Sequence, residues 1–135
     1  MAAAGERIND ARRHIRSART LAEDDITLAI AACHDAIRKA ITAHMNAHGY
    51  RPRCGDGAYR IVLAYARTQL AMLIAASDID DADELRRDRG IAEYDQFAHS
   101  KLQAVDVLAA ADLAERVVNA VAKALATRSR SRPKT

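Results

Sequence analysis

Apolar residues along this chain recur at spacings of three and four, and nowhere do they alternate with polar ones for more than a few positions. That periodicity marks helices that bury one face. Ile8, Ala11, Ile15 and Ala18 outline a first helix from about Glu6 to Arg19, whose opposite face carries Arg12, Arg13, Arg16 and Arg19. Thr20 and Glu23 stand at capping-box spacing. A second helix should begin there and follow Ile26, Ile30, Cys33, Ile37, Ile41 and Met45 to about His48, with Gly49 ready to take the left-handed position that closes it.

The segment Gly49–Gly57 holds three glycines and a proline and reads as a loop. From Ala58 to about Ala76 the apolar residues are nearly continuous, a length that predicts a buried third helix ended by Ser77 to Asp80. Asp81 and Glu84 repeat the capping spacing, so a short fourth helix is expected from about Ala82 to Arg89, stopping at Gly90. Ser100 and Gln103 open a fifth, in which Leu102, Val105, Leu108, Leu113, Val117, Val121 and Leu125 form the apolar stripe to about Ala126. The pattern predicts an all-α protein, a five-helix up-and-down style bundle forming one domain over residues 1–127.

Composition sharpens this reading. Among 135 residues there are 31 alanines, five glycines, two prolines, one phenylalanine and no tryptophan. The core must therefore be built from small and aliphatic side chains on helices. The net charge of +3 is misleading, because Arg128, Arg130, Arg132 and Lys134 supply four positive charges with no acid among them, leaving 17 basic against 18 acidic groups in residues 1–127. Residues 128–135 read as a basic, disordered tail, or as an arm that touches phosphates. Two cysteines, Cys33 and Cys54, lack the density of a secreted disulfide framework, and no targeting or membrane segment is visible, so a cytoplasmic location is expected.

Several arrangements of reactive residues carry little. His44 and His48 are four apart, with His34 on the same helix, but a zinc site needs a third or fourth ligand and these fit histidines facing solvent or holding a single hydrogen bond. Gly55 and Gly57 match neither the dinucleotide fingerprint nor the P-loop, and no elbow motif surrounds Ser17, Ser77 or Ser100. The acid pairs Asp24–Asp25 and Asp80–Asp81 fit helix starts. His14 is flanked by arginines that should favour its neutral form, which suits a base near RNA as well as a plain charged helix face.

The stretch L-R-R-D-R-G-I-A-E-Y-D, Leu85–Asp95, stands apart. Arg86 and Arg89 share a helix face, and guanidinium grips phosphate through two parallel hydrogen bonds. Glu93 lies four residues after Arg89 and could pair with it. If Gly90 ends the helix, Glu93 and Tyr94 instead swing beside the arginines and line a phosphate-sized pocket.

The order of these features resembles the HEPN superfamily, small all-α domains of four or five helices that are usually dimeric. Its signature is an arginine, often followed by a polar residue, then four to six positions and a histidine. Here Arg89 matches the arginine, Gly90 stands where many relatives have Asn, and Tyr94 stands where the histidine is expected. A subgroup with G-Y-R-P after a long second helix and a later L-R-R-x-R-x-x-A-E-Y-D is matched at Gly49–Pro52 and Leu85–Asp95. The resemblance implies an RNA- or nucleotide-binding homodimer of a toxin–antitoxin or defence system, with Arg86, Arg87, Arg89 and Glu93 at the phosphate and no metal or cofactor. It further implies Arg89 and Tyr94 as the catalytic pair of a metal-independent endoribonuclease. A phenol that titrates near about 10 is a poor replacement for imidazole, so the departure at Tyr94 weighs toward binding. Relatives paired with a nucleotidyltransferase antitoxin are adenylylated on a tyrosine two residues past the histidine, where this chain has Gln96. The rival reading is a non-catalytic helical interaction module in which the site has decayed.

Overall fold

The computed structural model describes residues 2–51, 58–94 and 102–131, with side chains left undescribed over 88–94 and 128–131. Five α-helices make up the described residues: α1 (Ala2–Leu21), α2 (Ile26–Ala47), α3 (Ala58–Gln69), α4 (Ala76–Tyr94) and α5 (Ala104–Ser131), with no strand among them. None of these helices is long and apolar enough to cross a membrane.

α2 is the axis of the bundle and touches all four other helices. Its expected stripe is buried at Ile30, Cys33, Ile37, Ile41 and Met45, and the alanines between them, Ala29, Ala36, Ala40 and Ala43, are equally inaccessible. Burying a face on every side requires apolar residues nearly all round. α1 lies against it with Ile8, Ala11, Ile15 and Ala18 inward, as the periodicity predicts. α5 runs antiparallel to α1: Arg12 donates to Asn119 Oδ1 at 2.8 Å, and Arg19 donates to Asp112 at 2.9 Å and to Glu115 at 3.0 Å. On α5 the expected stripe holds only in its second half. Leu113, Val117, Val121 and Leu125 are buried, but Val105 and Leu108 are exposed while Val107, Ala111 and Val118 face the core.

The caps differ from the sequence expectation in instructive ways. Thr20 does not start α2; its hydroxyl donates back to Arg16 O at 3.0 Å inside a longer α1. Asp25 is the N-cap instead, accepting from the Leu28 N–H at 3.1 Å, one of the roles expected of the acid pair. At the other end α2 closes as expected. Gly49 takes φ +86, its N–H donates to Asn46 O at 3.1 Å, and Tyr50 N–H donates to Met45 O at 2.9 Å, the paired bonds of a Schellman motif.

The apolar run after Ala58 is not one helix. α3 stops at Gln69, Leu70 and Ile74 turn inward through a tight corner with Met72 fully exposed, and α4 begins at Ala76, well before the expected start at Ala82. Asp81 and Glu84 therefore lie inside α4 and cap nothing. Asp78 takes the first turn, where a carboxylate complements the helix dipole, and accepts from Arg116 at 3.1 Å. α4 returns antiparallel over α3, tied by Arg67 to Asp80 at 2.7 Å.

The bundle is not strictly up-and-down. His34 stacks on Tyr59 near the starts of α2 and α3, while His44 meets Tyr65 further along both, so these two helices run in the same sense. The nine residues between His48 and Ala58 are long enough for that return. α5 starts one residue after Gln103, whose N–H donates to Asp106 at 2.8 Å; Ser100 lies outside the described residues. The same helix continues past the expected domain end, so residues 128–131 of the basic tail are helical, and 132–135 are outside the described residues.

A Cβ added at Gly49 would meet no atom within 4 Å, so its cost is conformational alone. Gly49→Ala is expected to lower stability by about 1 kcal/mol through the left-handed φ, measured as the shift in urea-unfolding free energy.

Candidate functional site

In the middle of α4, Ala82 and Leu85 bury the inner face, and the two residues after Leu85 turn away from it, leaving Arg86 half-buried and Arg87 exposed. Arg86 bonds Asp83 through Nε at 3.2 Å. Arg87 forks onto two acids one turn back, Glu84 at 2.9 Å and Asp83 at 3.2 Å. These are the short-range pairs expected of charges three and four apart on a helix.

Gly90 does not end α4; the helix passes through it to Tyr94. Glycine inside a helix costs only about 1 kcal/mol relative to alanine, and the residues on either side favour helix. The loop that would have swung Glu93 and Tyr94 beside the arginines is therefore absent. At about 100° per residue, Arg86, Arg89 and Glu93 fall on one side of α4, while Tyr94, five residues after Arg89, falls about 140° away. The side chains of Arg89, Glu93 and Tyr94 lie outside the described residues.

Arg86 and Arg87 instead meet α3. A groove of about 330 Å³ between the two helices is lined by Arg60, Leu63, Ala64 and Arg67 from α3 and by Asp83, Arg86 and Arg87 from α4. The α3 contribution was missed from sequence, although Arg60, Leu63, Ala64 and Arg67 have the i, i+3, i+4, i+7 spacing of one helix face. Which face α3 turns to α4 is decided by the fold.

Beneath this corner lies a buried polar pair. The rings of His34 and Tyr59 stack with centroids 3.9 Å apart, each residue less than a tenth exposed. Among the described residues neither His34 Nδ1 nor the Tyr59 hydroxyl has a hydrogen-bond partner, and Asp35 Oδ1 stands 3.6 Å from the imidazole nitrogen. Burial, reinforced by Asp83 and Asp35 and opposed by Arg86 and Arg38, holds the Tyr59 phenol above the ordinary tyrosine range.

The histidines at the end of α2 are tied into the protein. His44 is buried rather than solvent-facing, and its Nδ1 lies 2.8 Å from the Tyr65 hydroxyl. His48 Nδ1 donates to the His44 carbonyl at 2.9 Å, and the two imidazoles stack at 4.2 Å. Among the described residues, no three His, Cys, Asp or Glu side chains converge as metal ligands would. His14, half-buried on α1, titrates below its ordinary value as the sequence suggested, but for a different reason. Burial is the leading cause and Lys39 the second, against Asp35 and Asp10, with neighbouring Arg13 contributing least.

Comparison with protein-family models, with curated proteins and with solved structures gives no match to this chain.

Two measurements check these assignments. Tyr59→Phe removes an unsatisfied buried hydroxyl and is expected to hold or raise stability by about 1 kcal/mol; an equal loss in urea titration would mean that the hydroxyl is bonded. Because His14 binds its proton less readily folded than unfolded, stability is complete above pH 6.5 and declines as pH falls through the lowered native value. The drop in melting temperature between about pH 8 and about pH 5 should be smaller in His14→Gln than in the wild type.

Proposed function

We propose that this chain is an HEPN-like helical protein that binds RNA or nucleotide phosphates and acts as a homodimer in a toxin–antitoxin or defence system. An antitoxin or nucleotidyltransferase partner belongs to the same proposal. The observation that carries it is the α3–α4 groove, in which Arg86 and Arg87 of the L-R-R-D-R segment face Arg60 and Arg67 across a shared cavity. Guanidinium groups converging from two helices suit a phosphate better than a lone row on one helix, because donors reach the oxygens from both sides.

Binding fits these observations better than cleavage. Strand scission through a 2′-hydroxyl calls for an acid–base group titrating near neutrality beside the phosphate, and the unbroken α4 sets position 94 well round the helix from Arg89. A second reading, a non-catalytic interaction module, draws on the ion pairs that already occupy Arg67 and Arg87.

Fluorescence anisotropy with a labelled single-stranded RNA at low salt separates the two. RNA binding predicts a complex that weakens about tenfold or more in Arg86→Ala/Arg87→Ala and whose salt dependence becomes shallower. Absence of any complex at low salt would leave the interaction module. Overexpression of wild type and Arg89→Ala tests the nuclease: equal growth and equally intact cellular RNA would exclude a ribonuclease toxin.

A further inference from the structure

We infer that Arg60 on α3 and the terminal nitrogens of Arg86 on α4 form the phosphate clamp of this groove, with Arg67 and Arg87 as fixed flanking charges. The inference rests on the phosphate-binding reading above and names the side chains that perform it. Four guanidiniums line the cavity, but they are not equivalent.

Arg67 is committed to Asp80 at 2.7 Å, and Arg87 is forked between Glu84 and Asp83. Arg86 engages Asp83 only through Nε, so the edge bearing its two terminal nitrogens holds no hydrogen bond among the described residues. Arg60 is exposed and has no acidic partner among the described residues. Each wall thus presents one cation with donors to spare, and both open onto the same space. Arg60 is the residue whose charge the protein leaves least compensated there.

The position of Arg60 is also set from below. Tyr59, its neighbour in sequence, is locked in the core by its stack on His34, which fixes the first turn of α3. Leu63 and Ala64 line the same α3 wall between Arg60 and Arg67 and make that stretch apolar. Such a stretch offers a bound anion no competing acceptor. Asp83, the carboxylate in this lining, is already engaged by Arg86 and Arg87.

The cavity volume, about 330 Å³, equals that of about ten waters at about 30 Å³ each. A groove of this size admits a phosphate group. A phosphodiester of single-stranded RNA and the phosphate of a free nucleotide share this chemistry, and the test distinguishes them.

The full chain is titrated into fluorescein-labelled oligouridylate across a series of KCl concentrations, using wild type, Arg60→Ala, Arg60→Lys and Arg16→Ala. Arg16 is an exposed cation on α1, which packs on α2 and α5, so its removal controls for net charge. Arg60→Ala is expected to weaken binding about fivefold to tenfold at low salt and to reduce the slope of log affinity against log salt by about 0.7, one phosphate contact to a single strand. Arg60→Lys should recover the slope and only part of the affinity, because the ammonium lacks the planar fork. Arg16→Ala should change affinity less than about twofold.

Inorganic pyrophosphate is added as competitor. Displacement at concentrations similar to the oligonucleotide assigns the clamp to free nucleotide phosphates, and displacement only by a longer strand assigns it to the RNA backbone. If Arg60→Ala matches Arg16→Ala while Arg86→Ala/Arg87→Ala loses binding, the clamp is wrong and phosphate binding stands. If wild type binds neither oligouridylate nor pyrophosphate at low salt, both fall.

Discussion

Everything in this bundle depends on how closely helices can approach α2. The residues at the contact are mostly alanines: Ala29, Ala36, Ala40 and Ala43 on α2, Ala11 and Ala18 on α1, Ala111 and Ala114 on α5, all fully buried. Small side chains let helices approach closely, and the isoleucines Ile30, Ile37 and Ile41 are fully buried beside them. Tryptophan is lacking and phenylalanine occurs once, and the buried aromatic Tyr59 lies on α3, outside these alanine contacts. Interiors are close-packed, so added methyls at these alanines would overpack the contact, at a typical cost of about 1–3 kcal/mol.

Close approach leaves register to be chosen by charge. α1 and α5 meet with Arg12 on Asn119 and Arg19 across Asp112 and Glu115, and α4 is indexed on α5 by Arg116 and Asp78. Individually such surface pairs contribute little, about 0–1 kcal/mol. Their role here is selective, since sliding an alanine face by one turn changes its packing little but breaks every pair. Cations spent on register, such as Arg19 on α1 and Arg116 on α5, are unavailable for a ligand.

The parts legible in the sequence were those fixed by local rules. The stripe on α2, the inward face of α1 and the glycine closure at Gly49 depend only on periodicity and on one residue's tolerance for positive φ. Misread boundaries came from competing local signals. Thr20 with Glu23 and Asp81 with Glu84 look like caps, but Asp25 and Ala75 sit where the chain can turn and still bury Ala22 and Ile79. The corner after Gln69 contains neither glycine nor proline, and Leu70 and Ile74, four residues apart, have the spacing of one continuous helix face, so local rules gave no sign of the break. For the site, Arg86 and Arg87 could be singled out as arginines suited to phosphate, whereas Arg60 and Arg67 gained meaning only once α3 lay against α4. Gly90 misled because glycine permits a helix end without requiring one.

Cys33 sits on α2 among these alanines with no exposed surface, and burial pushes its thiol up to about 12. Because the thiolate is the reactive form, an alkylating reagent meets an inert sulfur for as long as the helices stay together. Modification at this position therefore has to wait for the centre of the bundle to open. Its rate provides a native clock for the breathing of α2 against its neighbours, readable at Cys33 Sγ without any substitution.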